Sequence, residues 1–142
     1  MKVELKHQNE FHSVISNDRG HWISIDTTSS EEPQGPSPME LLLMGVAGCS
    51  SIDIVSILDK QKIKPDSLHI QVEGDRIKGQ IPSLFTAIHA NVIATGDLPA
   101  DRLYHAVQLS FEKYCSVSKT LEHTATITFS VTLNGTPYEQ EK

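Results

Sequence analysis

The two cysteines of this chain, Cys49 and Cys115, are the residues best suited to covalent chemistry. A thiolate oxidised by a peroxide becomes a sulfenic acid, which a second thiol converts to a disulfide. That chemistry requires the two Cα atoms to approach within about 7 Å. Spacing in the sequence does not show such an approach. Both thiols could instead be inert, because most buried free cysteines behave as small hydrophobes.

Cys49 falls in the middle of a long predicted helix that is apolar on nearly all sides. Gly45 and Gly48 precede it and would let another segment come close. Asp53 lies one turn later on the same face, so a carboxylate is expected beside the thiol. Buried there, Asp53 would need a hydrogen-bonding partner, and its charge would disfavour a thiolate. It could be structural, or it could position a ligand or act as a base.

Cys115 is predicted at a break between two helices, before a short helix capped by Ser116. Free backbone N–H groups at a helix start favour a thiolate, and Lys113 lies close by in sequence. A buried thiol at a helix corner is the alternative. Cys115 and His123 alone are weak evidence for a metal site, and the sequence contains no Cys-x-x-Cys or His-x-x-x-His motif. We therefore expect no metal and no bound cofactor.

The elements that position these residues follow from apolar alternation and helix-breaking residues. Ser37, Pro38 and Glu40 mark the start of the long helix as its cap, its first residue and the second member of a capping box. Strands are predicted at 3–6, 11–16, 22–26, 68–75, 85–95 and 124–133, and helices at 38–62, 99–115 and 116–122. The order βββ-α-ββ-αα-β predicts an α+β protein.

Length and charge narrow the functional classes. The 142 residues, 38% of them hydrophobic, predict a single domain over residues 1–142. The net charge of −6 and the scattered basic residues argue against a nucleic-acid partner and against anionic membranes. Glu40 and Asp53 disfavour a membrane span for the long helix, and the first residues read as a strand and not as a signal peptide. We expect a cytoplasmic protein. Its long apolar helix needs to be surrounded, which indicates a partner chain.

The segment Pro-Met-Glu-Leu-Leu-Leu-Met-Gly-Val-Ala-Gly-Cys49 and the later Glu-Lys-Tyr-Cys115-Ser-Val-Ser-Lys-Thr-Leu resemble the OsmC/Ohr superfamily. This superfamily includes osmotically induced protein C and organic hydroperoxide resistance protein. The Ile-Pro-Ser-Leu-Phe segment at 81–85 also fits. The resemblance covers roughly residues 11 to 133, and the chain is most similar to the YhfA-like branch.

The resemblance implies an intertwined homodimer with antiparallel sheets around two long central helices. It implies a thiol-dependent peroxidase in which Cys49 attacks an organic hydroperoxide and Cys115 forms a disulfide with it. An external dithiol, such as a lipoylated protein, would then reduce the disulfide. The alternative is a dimer that binds a small ligand in the same interfacial pocket without turnover, and a third possibility is a structural dimer with two inert thiols.

Peroxidase members of the superfamily place a Glu and an Arg beside the reactive cysteine. Glu40 and Arg19 are the matching candidates here, with Asp53 as a further supporting residue. Met39 occupies the family position of the Glu, and Glu40 follows one residue later, which turns the side chain by about 100°. Glu40 also lies about 13 Å from Cys49 along the helix axis, so it could reach only the partner's thiol. Arg19 is predicted in a hairpin turn, where a solvated side chain is usual.

Overall fold

The computed structural model describes residues 1–139. It contains seven strands, three α-helices and one π-helical turn. The strands are β1 (Val3–Asn9), β2 (His12–Asn17), β3 (Trp22–Ile25), β4 (Ser67–Arg76), β5 (Phe85–Thr95), β6 (Thr126–Leu133) and β7 (Thr136–Tyr138). The helices are α1 (Pro38–Lys60), α2 (Ala100–Leu109), the π-helical turn (Ser110–Tyr114) and α3 (Ser116–Leu121). The predicted α+β class is confirmed. The π-helical turn and β7 were not predicted, and the last three residues of the predicted domain lie outside the described part of the chain.

The chain divides into two compact units, Met1–Leu42 and the residues from Leu43 onward. The first unit contains an antiparallel sheet in the order β1-β2-β3. Asn17 shapes the turn between β2 and β3, where its side-chain oxygen accepts hydrogen bonds from the backbone N–H groups of Arg19 and His21. The predicted hairpin is therefore present. The prediction of one domain over the whole chain stays a prediction.

Asp26 organises the loop that follows β3 in the first unit. Its Oδ1 accepts hydrogen bonds from the Thr27 backbone N–H at 2.7 Å and from Ser30 Oγ at 2.9 Å. Its Oδ2 accepts one from the Gln34 backbone N–H at 3.1 Å. These donors, the Gln34 and Thr27 N–H groups first, hold the pKa of Asp26 below its ordinary value. The carboxylate therefore fixes a loop that has no regular secondary structure.

We expect Asp26→Asn to destabilise the protein at neutral pH and to have little effect in acid. The lowered pKa means that the carboxylate stabilises the fold above its ordinary pKa of about 3.9, and that this contribution is lost as pH falls through the folded-state pKa. Urea midpoints of both proteins should differ at pH 7 and converge toward about pH 2. Asp18→Asn, in the exposed β2–β3 turn, is the matched control. A midpoint difference that is constant with pH would contradict this account.

The second unit contains a mixed sheet in the order β4-β5-β6-β7. The β4–β5 and β6–β7 pairs are antiparallel, but β5 and β6 are parallel. The expectation of purely antiparallel sheets is therefore wrong for this unit. The reason is the connection: α2, the π-helical turn and α3 lie between β5 and β6, and such a helical crossover returns the chain in the same direction.

Helix α1 presents two apolar faces. Val46, Ser50, Ile54 and Leu58 recur every fourth residue and are fully buried. The three apolar members of this row form the core of the second unit together with apolar side chains from β5, the β5–α2 connection, α2, the π-helical turn and β6: Ala90, Val92, Ala94, Leu98, Leu103, Ala106, Val107, Phe111 and Val131. On the opposite side, Met44, Ile52 and Val55 are 53%, 71% and 51% exposed. The helix was predicted to be surrounded on all sides. Within the described part of the single chain, only one of its faces is buried.

By length and composition alone, α1 could cross a membrane. The test is weak evidence, because the central helix of a soluble protein also passes it.

The start of α1 carries the predicted capping box. Glu40 Oε2 accepts hydrogen bonds from the Ser37 backbone N–H and from Ser37 Oγ, both at 2.7 Å, and the Glu40 N–H donates to Ser37 Oγ at 3.4 Å.

Candidate functional site

The second unit brings Cys49, Asp53 and Cys115 together. The two Sγ atoms and a carboxylate oxygen of Asp53 all lie within 4.8 Å of one another. Helix α1 supplies Cys49 and Asp53 from successive turns, and Cys115 comes from the junction between the π-helical turn and α3. Both cysteines are free thiols, Cys49 half-buried and Cys115 fully buried. The two sulfurs are therefore neighbours in the fold, whereas the catalytic roles of the two residues stay a prediction.

The π-helical turn sets the position of Cys115. The Cys115 backbone N–H donates to the Ser110 carbonyl at 2.8 Å, which is the wider i→i+5 bond of a π-helix. The chain then becomes extended at Cys115, which is the N-cap of α3. The prediction of Ser116 as this cap is therefore wrong by one residue. π-Helical turns inside α-helical segments are frequent at functional sites.

The surroundings of Cys115 favour the neutral thiol. Burial raises the pKa of the Cys115 thiol, and the nearby Cys49 sulfur acts in the same direction. Ser118 opposes this shift in part, because its Oγ and its backbone N–H donate to Cys115 Sγ at 3.0 and 3.4 Å. The prediction that the helix start favours a Cys115 thiolate is therefore wrong, because the effect of burial on the thiol pKa is larger. Lys113 is not among the groups that shift this pKa, and its Nζ lies 5.3 Å from the centre of the Tyr114 ring.

Ser110 supplies the partner that Asp53 was predicted to need. Its Oγ donates to Asp53 Oδ2 at 3.2 Å, while its carbonyl accepts the backbone bond from Cys115. Ser110 is fully buried. Ser110 therefore contacts both the Asp53 carboxylate and the backbone of Cys115. Sequence reasoning did not identify this contact of Ser110, and it missed Ser118, whose position three residues after a cap could have indicated it.

The two glycines before Cys49 have different surroundings. A Cβ at Gly45 would lie 3.4 Å from Val117 Cγ1, so α3 packs closely on α1 at this point. A Cβ at Gly48 would meet no described atom within 4 Å. The expected close approach is thus present at Gly45, where it involves a side chain of α3 and not another backbone.

Arg19 and Glu40, the other predicted supporting residues, belong to the first unit. Arg19 lies in the β2–β3 turn with an exposed side chain. Within the described residues of that unit, Glu40 is engaged by Ser37, whose N–H and hydroxyl groups lower the pKa of the carboxyl group, and it makes no salt bridge with Arg19. A role for either residue beside Cys49 stays a prediction.

A cavity of about 330 Å³ adjoins the cysteine cluster on the Asp53 side. Its volume is at the lower end of the range for small-molecule sites. The walls combine apolar and polar side chains from α1 and from the region of α2 and the π-helical turn: Asp53, Ser56, Ile57, Lys60, Gln61, Leu109 and Tyr114. Asp53 is therefore shared between the cavity and the two thiols.

Comparison with known proteins identifies the family. The family model described as OsmC-like protein matches residues 30–130. Protein YhfA of Escherichia coli K12 is 43% identical over 112 residues, which cover 78% of this chain and 81% of that protein. The chain therefore belongs to the OsmC family.

Solved structures show the same fold. An OsmC-like protein from Mycoplasma pneumoniae has a TM-score of 0.81 at 17% identity, over 93% of this chain and 95% of that one. An organic hydroperoxide resistance protein OsmC from Legionella pneumophila has a TM-score of 0.69 at 17% identity, over 93% and 97%. At these identities the likeness establishes the fold alone.

Proposed function

We propose that this protein is a thiol-dependent peroxidase that reduces organic hydroperoxides through Cys49 and Cys115. The observation that carries the proposal is the approach of the two Sγ atoms to within 4.8 Å, with both present as free thiols. Membership of the OsmC family and the fold shared with an organic hydroperoxide resistance protein support it.

The burial of the two cysteines supports an order of action in which Cys49 reacts first. Cys49 is half-buried and therefore reachable by a substrate, whereas Cys115 is fully buried. The Cys49 thiolate attacks the O–O bond: an S–O bond forms, the O–O bond breaks, and the leaving alkoxide takes a proton to become an alcohol. Cys49 is then a sulfenic acid, the oxidised product of a two-electron step.

Cys115 completes the cycle as the resolving thiol. Its raised pKa keeps it protonated until the sulfenic acid forms beside it. Attack of Cys115 Sγ on the sulfenic sulfur forms the disulfide and releases water, which carries away the thiol proton. An external dithiol, for which a lipoylated protein is a candidate, then supplies two electrons and two protons and restores both thiols.

The protein would act as a cytoplasmic homodimer, with no nucleic-acid or membrane partner. The exposed apolar face of α1 supports a second copy of the chain, because large apolar side chains seldom line one face of a solitary helix. The reducing conditions of the cytoplasm suit a reversible cysteine pair.

The first test is intact mass after one equivalent of cumene hydroperoxide per chain, with and without labelling of free thiols. We expect a loss of about two mass units and of both labelled thiols in the wild type, because disulfide formation removes two hydrogen atoms. The same treatment of Cys49→Ser should leave Cys115 free. An unchanged mass with both thiols labelled would overturn the peroxidase proposal.

A second candidate function is the binding of a small ligand without turnover. The cavity beside Asp53 favours it, since Lys60 and Gln61 add polar groups to apolar walls there. The carboxylate so close to two sulfurs also favours it, because a negative charge disfavours thiolates. The two functions differ in their dependence on sulfur: ligand affinity would survive Cys49→Ser and Cys115→Ser, whereas peroxide reduction would not.

A further inference from the structure

We propose that Cys49, Asp53 and Cys115 form, in the reduced protein, a binding site for a thiophilic divalent metal ion, with Zn²⁺ as the best match. The site goes beyond peroxide reduction and uses none of its steps. The proposal departs from the expectation of no metal drawn from the sequence, where two of the ligands lie on α1 and the third lies in a distant part of the chain. Only the fold brings the three ligand atoms together.

The ligand set matches zinc in kind and in number. Zn²⁺ takes cysteine sulfur at about 2.3 Å and carboxylate oxygen at about 2.0–2.2 Å, usually in a tetrahedron. Two sulfurs on one tetrahedral zinc are about 3.8 Å apart. The separations of at most 4.8 Å observed here therefore need adjustments of about 1 Å or less, within reach of side-chain rotation. Mg²⁺ and Ca²⁺ are excluded, because they prefer oxygen ligands.

Three protein ligands leave a fourth position for water. Cys49 and Asp53 are half-buried, so one side of the cluster faces outward, whereas Cys115 closes the inner side. The cavity lined by Asp53 provides access for an ion. A site with three protein ligands and one open position is the arrangement found in many reactive zinc centres.

The residues behind the ligands already hold them in place. Ser110 Oγ donates to Asp53 Oδ2 at 3.2 Å, which leaves the other carboxylate oxygen for the ion. Ser118 donates twice to Cys115 Sγ, and such donors stabilise a metal-bound thiolate. Ser110 and Ser118 are both fully buried or nearly so, at 0% and 1% exposed. The outer partners that a metal site requires are therefore present in the free protein.

The charge of the ligands is compatible with a bound divalent ion. Two thiols and one carboxylate bind Zn²⁺ with release of the two thiol protons, so ligands of total charge −3 surround a charge of +2. The ion offsets two of the three negative charges that its ligands carry, so the bound cluster has a net charge of −1. No electron is transferred in this step. A Cys49–Cys115 disulfide would remove both thiolate ligands, so ion binding and oxidation exclude each other.

The test is titration of the reduced protein with Zn²⁺ alone by calorimetry, together with Co²⁺ as a spectroscopic probe. We expect one ion per chain and a thiolate-to-cobalt charge-transfer band in the near ultraviolet. Asp53→Asn should weaken Zn²⁺ binding at least tenfold, and Ser110→Ala should weaken it by about tenfold through Asp53. Asp59→Asn removes an exposed carboxylate from the same helix and should leave the affinity unchanged.

Absence of Zn²⁺ uptake by the reduced wild type would overturn the proposal, as would an affinity unaffected by Asp53→Asn. A measurement without any variant guards against misfolding: Zn²⁺ should slow alkylation of Cys49 in the native protein, and equal rates with and without the ion would refute the site. The assay contains no peroxide. A protein that reduces peroxides but ignores Zn²⁺ contradicts this inference alone, and one that binds Zn²⁺ but leaves peroxides intact contradicts the proposed function alone.

Discussion

Cys49→Ser should abolish the reduction of organic hydroperoxides, with kcat/KM lowered at least about a thousandfold. The serine hydroxyl has nearly the shape of the thiol but is not deprotonated near neutral pH, so no nucleophile remains at the exposed side of the cluster. Cys115 cannot replace it, because burial keeps its pKa raised and its sulfur away from solvent. The measurement is peroxide consumption with a dithiol such as dihydrolipoamide in excess.

Cys115→Ser provides the complementary result. Cys49 should react once and stop, because no thiol lies beside the sulfenic acid to convert it to a disulfide. A sulfenic-acid reagent such as dimedone should therefore label Cys49 stoichiometrically in this variant and only weakly in the wild type. Ser116→Ala, an exposed neighbour of Cys115, is the control and should keep full turnover. Continued turnover by Cys49→Ser would show that the cysteine pair is not the catalyst.

The sequence was sufficient to predict the elements that local chemistry specifies. Ser37, Pro38 and Glu40 predicted the start of α1 because a capping box is a contact between near neighbours, and the structure contains it. The strand predicted at 85–95 is β5, with the same bounds in the structure. The α+β class followed from the order of these elements.

The site itself depends on contacts that local patterns do not encode. The meeting of Cys49 and Cys115 is set by how the helices between β5 and β6 pack on α1, and a crossover of that kind also makes β5 and β6 parallel. The π-helical turn differs from α-helix by a single wider hydrogen bond, which has no residue signature. The contacts of Ser110 with Asp53 and Cys115 depend on this turn, so they could not be predicted from the sequence.

The second large effect is expected at the exposed face of α1. Met44, Ile52 and Val55 form an apolar stripe opposite the buried residues of the helix, and Gly48 between them leaves open space. A second copy of the chain would cover this stripe with its own α1, in a symmetric contact where each residue occurs twice. Light scattering should then give about twice the chain mass of 15.7 kDa.

Ile52→Asp should convert that dimer to a monomer. The side chain is 71% exposed in the single chain, so the substitution costs little in the fold, but in the dimer it buries two carboxylates against apolar surface. At several kcal/mol for each, the dissociation constant should rise more than about a thousandfold. Sedimentation or light scattering across a dilution series measures the shift.

Ile81→Asp separates this effect from a general response to a surface charge. Ile81 is also exposed and apolar, but it lies in the β4–β5 connection and not on α1, so its substitution should leave the dimer intact. A wild-type monomer would refute the dimer outright, and a dimer insensitive to Ile52→Asp would show that the contact does not involve α1.

The position of the stripe matters for the chemistry, because Ile52 is adjacent to Asp53 on the helix that carries Cys49. A partner covering Ile52 would narrow the outward side of the thiol cluster, so dissociation by Ile52→Asp should also increase the alkylation rate of Cys49.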